Sequence, residues 1–107
     1  MSDINQKYTE LLAVSNPKQV SSNLKKFFRN EKDVPNLLIS TRANKKYMII
    51  SPDGTRSHFG GMAYQDFTKH QDKNRQLRYL TRANAIKGDW RGDKYSPNNL
   101  SINLLWQ

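Results

Sequence analysis

Residues 47–59 are Tyr-Met-Ile-Ile-Ser-Pro-Asp-Gly-Thr-Arg-Ser-His-Phe, and this stretch has the pattern of a β-hairpin. Residues 47–51 are mostly apolar, and residues 56–59 end in an aromatic side chain. Between them, Pro-Asp-Gly at 52–54 combines the fixed φ of proline with the free φ of glycine, as a tight turn needs. Residues 37–41 precede this pair and are again strand-like. The pattern predicts a three-stranded antiparallel sheet, whose apolar face needs a helical cover to be stable.

The residues before this sheet have helical periodicity in two short segments. Ser2 is a suitable N-cap for the first, while Asn16 and Pro17 end it and begin the second. The apolar stripes are Ile4, Tyr8, Leu11 and Leu12, then Val20, Leu24, Phe27 and Phe28. We expect a helical hairpin subregion over residues 1–30 and, after a polar loop, a sheet-and-helix core over residues 36–107.

The residues after the sheet predict one main helix. Gly60-Gly61 is expected to break the third strand, and residues 62–71 to be irregular. Asp72 then caps a helix that runs to about Ile86, and Ser96-Pro97 begins a short terminal helix. The apolar stripe of the main helix is Leu77, Leu80, Ala83 and Ile86. The predicted fold class is α+β: an N-terminal helical hairpin, a three-stranded antiparallel sheet, and a C-terminal helix plus a short terminal helix.

Composition limits the possible functions. The 107 residues include 18 Lys and Arg against 9 Asp and Glu, a formal charge of +9, with 36% hydrophobic residues. This size predicts one small basic domain over residues 1–107. The absence of cysteine excludes disulfides, a thiolate zinc site and a cysteine nucleophile. No apolar run is long enough for a membrane span, and residues 1–10 lack the pattern of a secretory signal.

A row of arginines is the clearest candidate for binding. Arg75, Arg78 and Arg82 fall at i, i+3 and i+7 of the main helix, so their guanidinium groups share a face and suit phosphates or a partner's carboxylates. The alternative is a solvated face held by local ion pairs, for example with Asp72. A second basic patch, Lys45-Lys46, lies beside Tyr47, although that ring is expected in the core. The anion-binding or partner-binding candidates are Arg75, Arg78, Arg82, Lys87, Arg91, Lys94, Lys45 and Lys46.

The residues around the second histidine do not form an enzyme motif. His70 lies near Asp66 and Asp72, but neither a metal signature nor a nucleophile motif accompanies it. We therefore predict no catalytic residue, no metal site, no cofactor and no small-molecule substrate. His70 or Thr68 is expected to brace the start of the main helix instead.

The run Tyr64-Gln-Asp-Phe-Thr-Lys-His-Gln-Asp72, with the arginine that follows at 75, resembles an uncharacterised family of small basic proteins from large DNA viruses of algae and protists, the nucleocytoplasmic large DNA viruses. The resemblance covers roughly residues 45–106 and implies a viral origin. It brings no catalytic residues. Its motif residues in this chain are Tyr64, Asp66, Thr68, His70, Asp72 and Trp90.

Two functional hypotheses follow. The first is a non-enzymatic structural component of a virus particle, a minor capsid or cement protein that bridges major and minor capsid proteins. It would be located in the virion, and in the host cytoplasm or nucleus during assembly, with the apolar ends Ile4–Leu12 and Leu100–Trp106 as partner anchors. The alternative is a basic nucleic-acid-binding protein, with DNA as a candidate partner, that contacts phosphates through the arginine row.

Overall fold

The computed structural model describes residues 4–107, and its centre is an antiparallel sheet with the strand order β1-β2-β3. The strands are β1 (Leu38–Ile39), β2 (Lys45–Ile50) and β3 (Arg56–Gly61). Tyr47 of β2 pairs with Ile39 on one side and with Phe59 on the other. The predicted three-stranded sheet is therefore confirmed, with a first strand shorter than expected.

Helices precede and follow this sheet along the chain. They are α1 (Ile4–Val14), α2 (Pro17–Phe27), α3 (Phe67–His70), α4 (Lys73–Asn84) and α5 (Pro97–Leu100), with a 3-10 turn at Trp90–Gly92 and a π-helical turn at Ser101–Leu105. The predicted caps form, since the side chain of Asn16 accepts the Gln19 N–H and that of Asp72 accepts the Asn74 and Arg75 N–H groups. The predicted Ser2 cap lies outside the described residues. The α+β class is confirmed.

The hydrophobic core joins α1, α2, the sheet and the C-terminal helical turns. Its members are Leu11, Val20, Leu24, Phe28, Tyr47, Ile49, Phe59, Leu100, Leu104 and Leu105. Leu100 and Leu104 are completely buried. The prediction that Leu100–Trp106 anchors a partner is therefore wrong for these leucines, because the apolar end of the chain completes the protein's own core.

Three local predictions also differ from the structure. β3 continues through Gly60 and Gly61 because Gly61 pairs with Lys45 at the start of β2. The segment expected to be irregular contains α3. The predicted apolar stripe of α4 is buried only in part, since Ala83 is buried but Leu77 is 66% exposed and Ile86 is 50% exposed.

Candidate anion-binding cleft

A cleft of about 580 Å³ opens between α4 and the end of the sheet where β2 begins and β3 ends. One wall is the face of α4 that carries Arg75, Arg78 and Arg82. The other wall contains Lys45 and Tyr64, with Lys46 and Asp66 also lining the cavity. We call this cavity the basic cleft. The fold thus brings together two basic segments that are far apart in the sequence.

The arginine wall follows from the start of α4. The Asp72 carboxylate accepts the N–H groups of Asn74 at 2.9 Å and Arg75 at 3.2 Å, and these hydrogen bonds lower the pKa of Asp72. A helix rises about 1.5 Å per residue, so Arg75 and Arg82 are about 10.5 Å apart along its axis. The arginine row therefore extends over about two turns of α4 and lines the basic cleft.

The sheet wall depends on a glycine. Gly60 has a φ of +83°, and a Cβ atom there would lie 2.8 Å from the Cδ1 atom of Leu105 and 3.2 Å from the Cβ atom of Lys46. Only glycine adopts this φ readily and leaves room for both neighbours. Gly61 then pairs with Lys45 and so holds the end of β3 against the start of β2. The sequence prediction took Gly60-Gly61 as the end of the strand and missed this role.

A buried ion pair lies beneath the cleft. Lys46 Nζ is 3.0 Å from Asp66 Oδ2, and the two side chains are 2% and 1% exposed. Burial lowers the pKa of Lys46, while the charge of Asp66 and its hydrogen bond act in the opposite direction. Lys46, predicted to bind an anion or a partner, is therefore already paired with a carboxylate.

The same carboxylate organises the N-terminal helices. The Thr68 hydroxyl donates to Asp66 Oδ1 and accepts the backbone N–H of Asn16 at 3.0 Å. The Tyr47 hydroxyl donates to Ser15 Oγ at 2.7 Å, and burial raises the pKa of Tyr47. His70 or Thr68 was expected to brace the main helix, and of these two the Thr68 side chain instead holds the turn between α1 and α2.

The remaining cations of the cleft have no carboxylate partner in the part of the chain that the structure describes. Neither Lys45 nor any of the three arginines forms a salt bridge within residues 4–107. Helix α4 contains no Asp or Glu, so its arginines have no carboxylate partner within the helix. Among the described residues that line the cavity, the one carboxylate is Asp66, which Lys46 occupies. The basic cleft therefore has a surplus of positive charge, and its concave shape strengthens the resulting field.

The cations predicted near the C-terminal loop do not line the cleft. Lys87 is exposed elsewhere. Arg91 donates to the Asn84 carbonyl at the end of α4 and lies 4.3 Å from the centre of the Trp90 ring. The Trp90 indole N–H donates to the Ile86 carbonyl at 2.7 Å. Arg91 and Trp90 thus stabilise the segment that follows α4.

Lys94 connects the C-terminal loop to α2. Its Nζ atom donates to the Phe27 carbonyl at 2.9 Å and lies 3.6 Å from Glu31. The same ammonium lies 5.0 Å from the Phe27 ring centre and 5.4 Å from that of Phe28. This lysine makes its contacts within the protein.

An aromatic group closes the inner end of the cleft. Tyr79 and Trp106 stack with ring centres 4.1 Å apart, and the Gln76 amide donates to the Trp106 carbonyl at 2.8 Å. The ring of His70 lies 5.3 Å from Trp106, and its Nδ1 accepts the Asp72 N–H at 2.9 Å. His70 thus braces the start of α4, as predicted. Its Nε2 is buried, with no hydrogen-bond partner among the described residues.

Within residues 4–107, no three His, Asp or Glu side chains lie close enough together to hold a metal ion. No helix in this part of the chain has the length and apolar character needed to cross a membrane.

A family model matches the central part of the chain. Residues 36–83 match a family described as a family of unknown function, DUF5754. The matched segment is 48 of the 107 residues, slightly less than half of the chain, and over it the protein is similar to this family. The DUF5754 segment contains the whole sheet, α3, nearly all of α4 and all five cations that line the basic cleft. The resemblance to viral proteins described above covers roughly residues 45–106. The family match begins before that range and does not include residues 84–106. Neither a curated protein nor a solved structure matches the chain.

Proposed function

We propose that the protein binds nucleic acid through its phosphate groups, in the basic cleft. One observation carries this proposal: Lys45, Arg75, Arg78 and Arg82 face a single cavity, and none of them forms a salt bridge within the described residues. Unpaired cations grouped in this way favour a polyanion as the ligand.

The chemistry of these side chains suits phosphates. A guanidinium group offers parallel N–H donors to two oxygens of one phosphate, and Lys45 adds a point charge from the opposite wall. Neutralising several phosphates releases condensed counterions, so the affinity should fall steeply with salt and depend little on base sequence. The buried Lys46–Asp66 pair leaves this surplus of charge intact because it is neutral overall.

The test compares two triple variants with the same change in net charge. R75A/R78A/R82A removes the arginine wall, whereas K18A/R29A/R56A removes three exposed cations outside the cleft. Binding to a fluorescent oligonucleotide is measured by anisotropy over a range of salt concentrations. We expect the cleft variant to lose at least about tenfold in affinity, and its slope of log affinity against log salt to fall by about 2 to 3.

The control variant should keep most of the affinity and most of the slope. Equal losses for the two variants would mean that binding reflects net charge alone. That result, or the absence of salt-dependent binding by the unmodified protein, would contradict the proposal that nucleic acid binds in the basic cleft.

A second proposal is a structural role as a minor capsid or cement protein of a large DNA virus particle. The resemblance to small basic proteins of such viruses supports it. A further support is the set of apolar side chains that the fold leaves exposed: Tyr8 and Leu12 on α1, with Leu77 and Ile86 on and after α4. These could contact major or minor capsid proteins.

Particle fractionation separates the two proposals. Purified particles of the virus that encodes the protein are divided into capsid shell and nucleoprotein core, and the protein is quantified by mass spectrometry in each. Recovery with the shell at a fixed ratio to the major capsid protein would support the structural role. Recovery with the core DNA, and release from it by salt, would support nucleic-acid binding. Absence from both fractions would contradict the structural role.

A further inference from the structure

We propose that the basic cleft takes a single unpaired nucleic-acid strand, with one base stacked on Tyr64. This inference rests on the nucleic-acid function proposed above and specifies the form of nucleic acid bound. Three observations carry it: the exposure of the Tyr64 ring, the position of that ring on the wall opposite the arginines, and the concave shape of the cleft.

Tyr64 is a large aromatic side chain that the core does not use. It is 72% exposed, and among residues 4–107 no other aromatic ring lies against it. Its backbone N–H donates to the Gly61 carbonyl at 3.3 Å, and a Cβ atom at Gly61 would lie 3.4 Å from its ring. The turn thus holds the ring at the side of the cleft. An exposed ring beside a row of cations suits a base that stacks while its backbone is neutralised.

The shape of the cleft favours one strand over a duplex. Proteins that bind the major groove usually insert a helix or a β-ribbon, which must project from the surface. The arginine face of α4 instead lines a cavity, which the end of the sheet with Lys45 and Tyr64 also lines. A single strand can enter between the two walls, with its phosphates towards the arginines and a base on Tyr64. Neither wall offers a feature that separates DNA from RNA, so both belong in the test.

The experiment measures three single variants with matched probes. Y64A removes the ring and Y64F keeps it, while Y8A removes an exposed tyrosine of α1 outside the cleft. Anisotropy is measured with an oligothymidylate of about 16 nucleotides, the equivalent oligouridylate, an abasic strand of equal length, and a hairpin duplex. R75A/R78A/R82A is measured in parallel and reports on the cleft itself.

We expect Y64A to weaken binding of both thymidylate and uridylate about 5-fold or more, within the range for stacking of one base, without changing the salt slope. Y64F and Y8A should bind like the unmodified protein. The abasic strand should bind more weakly, and Y64A should weaken it no further. The duplex should also bind more weakly than either strand with bases.

Three results would overturn the inference. If Y64A leaves every affinity unchanged, or the duplex binds more tightly than the single strands while the arginine triple still loses binding, the single-strand inference fails and the cleft function stands. If the arginine triple has no effect on any probe, both fail. Tyr64 is largely exposed, so a loss of folding in Y64A is not expected.

Discussion

The cations of the basic cleft and those of the C-terminal loop carry the same charge but have different surroundings. Arg75, Arg78 and Arg82 face a cavity and form no salt bridge within residues 4–107. Arg91 and Lys94, in contrast, bind backbone carbonyls and lie over aromatic rings of the protein itself. A count of basic residues therefore overstates the charge that is free for a ligand. Partners, and not charge alone, distinguish cations that support the fold from those that remain open to an anion.

The largest expected effect concerns the buried pair beneath the cleft. Replacing Asp66 by alanine leaves the Lys46 ammonium buried without its carboxylate, which should lower the free energy of unfolding by about 3–5 kcal/mol. Chemical denaturation measures the loss. The double variant K46M/D66L, which removes both charges, should recover much of the stability. Similar stability of D66A and the unmodified protein would show that Lys46 does not depend on Asp66 and, like the cleft arginines, remains open to an anion.

The next effect concerns the sheet wall of the cleft. G60A should lower the free energy of unfolding by about 1–3 kcal/mol, because the positive φ is strained for alanine and the new methyl group meets Leu105. G61A is the matched control, since its Cβ would make only an ordinary contact with the Tyr64 ring. Thermal and chemical denaturation compare the two. Equal losses of stability in the two variants would mean that a glycine is no more necessary at position 60 than at position 61.

A pair of single substitutions tests the comparison directly. K94M should lower the free energy of unfolding by about 1 kcal/mol, since it removes the hydrogen bond to Phe27, and should leave oligonucleotide affinity unchanged. R78M should do the opposite: it should weaken binding several-fold and change stability by no more than about 0.5 kcal/mol. Each variant is measured both by denaturation and by anisotropy. Loss of affinity in K94M would mean that Lys94, like the cleft arginines, is available to bind the oligonucleotide.

The smallest effect is a change in the titration of His70. Burial lowers the pKa of His70 below its ordinary value of 6.5, and the nearby charge of Arg75 lowers it further. In R75A the pKa of His70, followed by NMR titration, should therefore rise. An unchanged pKa would mean that Arg75 exerts no net field at this end of the cleft.

The same shift links stability to pH. Because the folded protein holds the pKa of His70 below 6.5, the unfolded chain binds more protons once the pH falls below that value. The stability should therefore be fully present above pH 6.5 and decline as the pH falls below it. Replacing His70 by glutamine should reduce this decline, as measured by denaturation at several pH values. His58, whose pKa burial also lowers, should contribute in the same direction.

Local patterns predicted much of the fold. The Pro-Asp-Gly turn, the Asn16 and Asp72 caps and the three strands depend on neighbours in sequence, and all were found. The buried face of α4 was predicted only in part, because Ala83 is buried as expected but Leu77 is exposed, whereas Tyr79, outside the predicted stripe, packs on Trp106. That contact depends on the C-terminal turn, which periodicity within one helix does not report.

Only part of the candidate site could be predicted from the sequence. The arginine row follows from helical spacing, but its position opposite Lys45 depends on the path of the chain from Gly60 to Asp72. The Lys46–Asp66 pair depends on the same path, so its burial has no signature in either local segment. The Tyr64 ring was assigned to a structural motif, and its exposure beside the cleft became apparent only from the fold.

Chemical-shift mapping tests the central claim most directly. The isotopically labelled protein is titrated with an oligonucleotide, and backbone and arginine side-chain resonances are followed by NMR. We predict that the largest changes fall on Arg75, Arg78 and Arg82 and on the turn around Tyr64, while Arg91 and Lys94 change little. Changes centred on Arg91 and Lys94, with the arginine row unaffected, would contradict the division between open and internally bound cations.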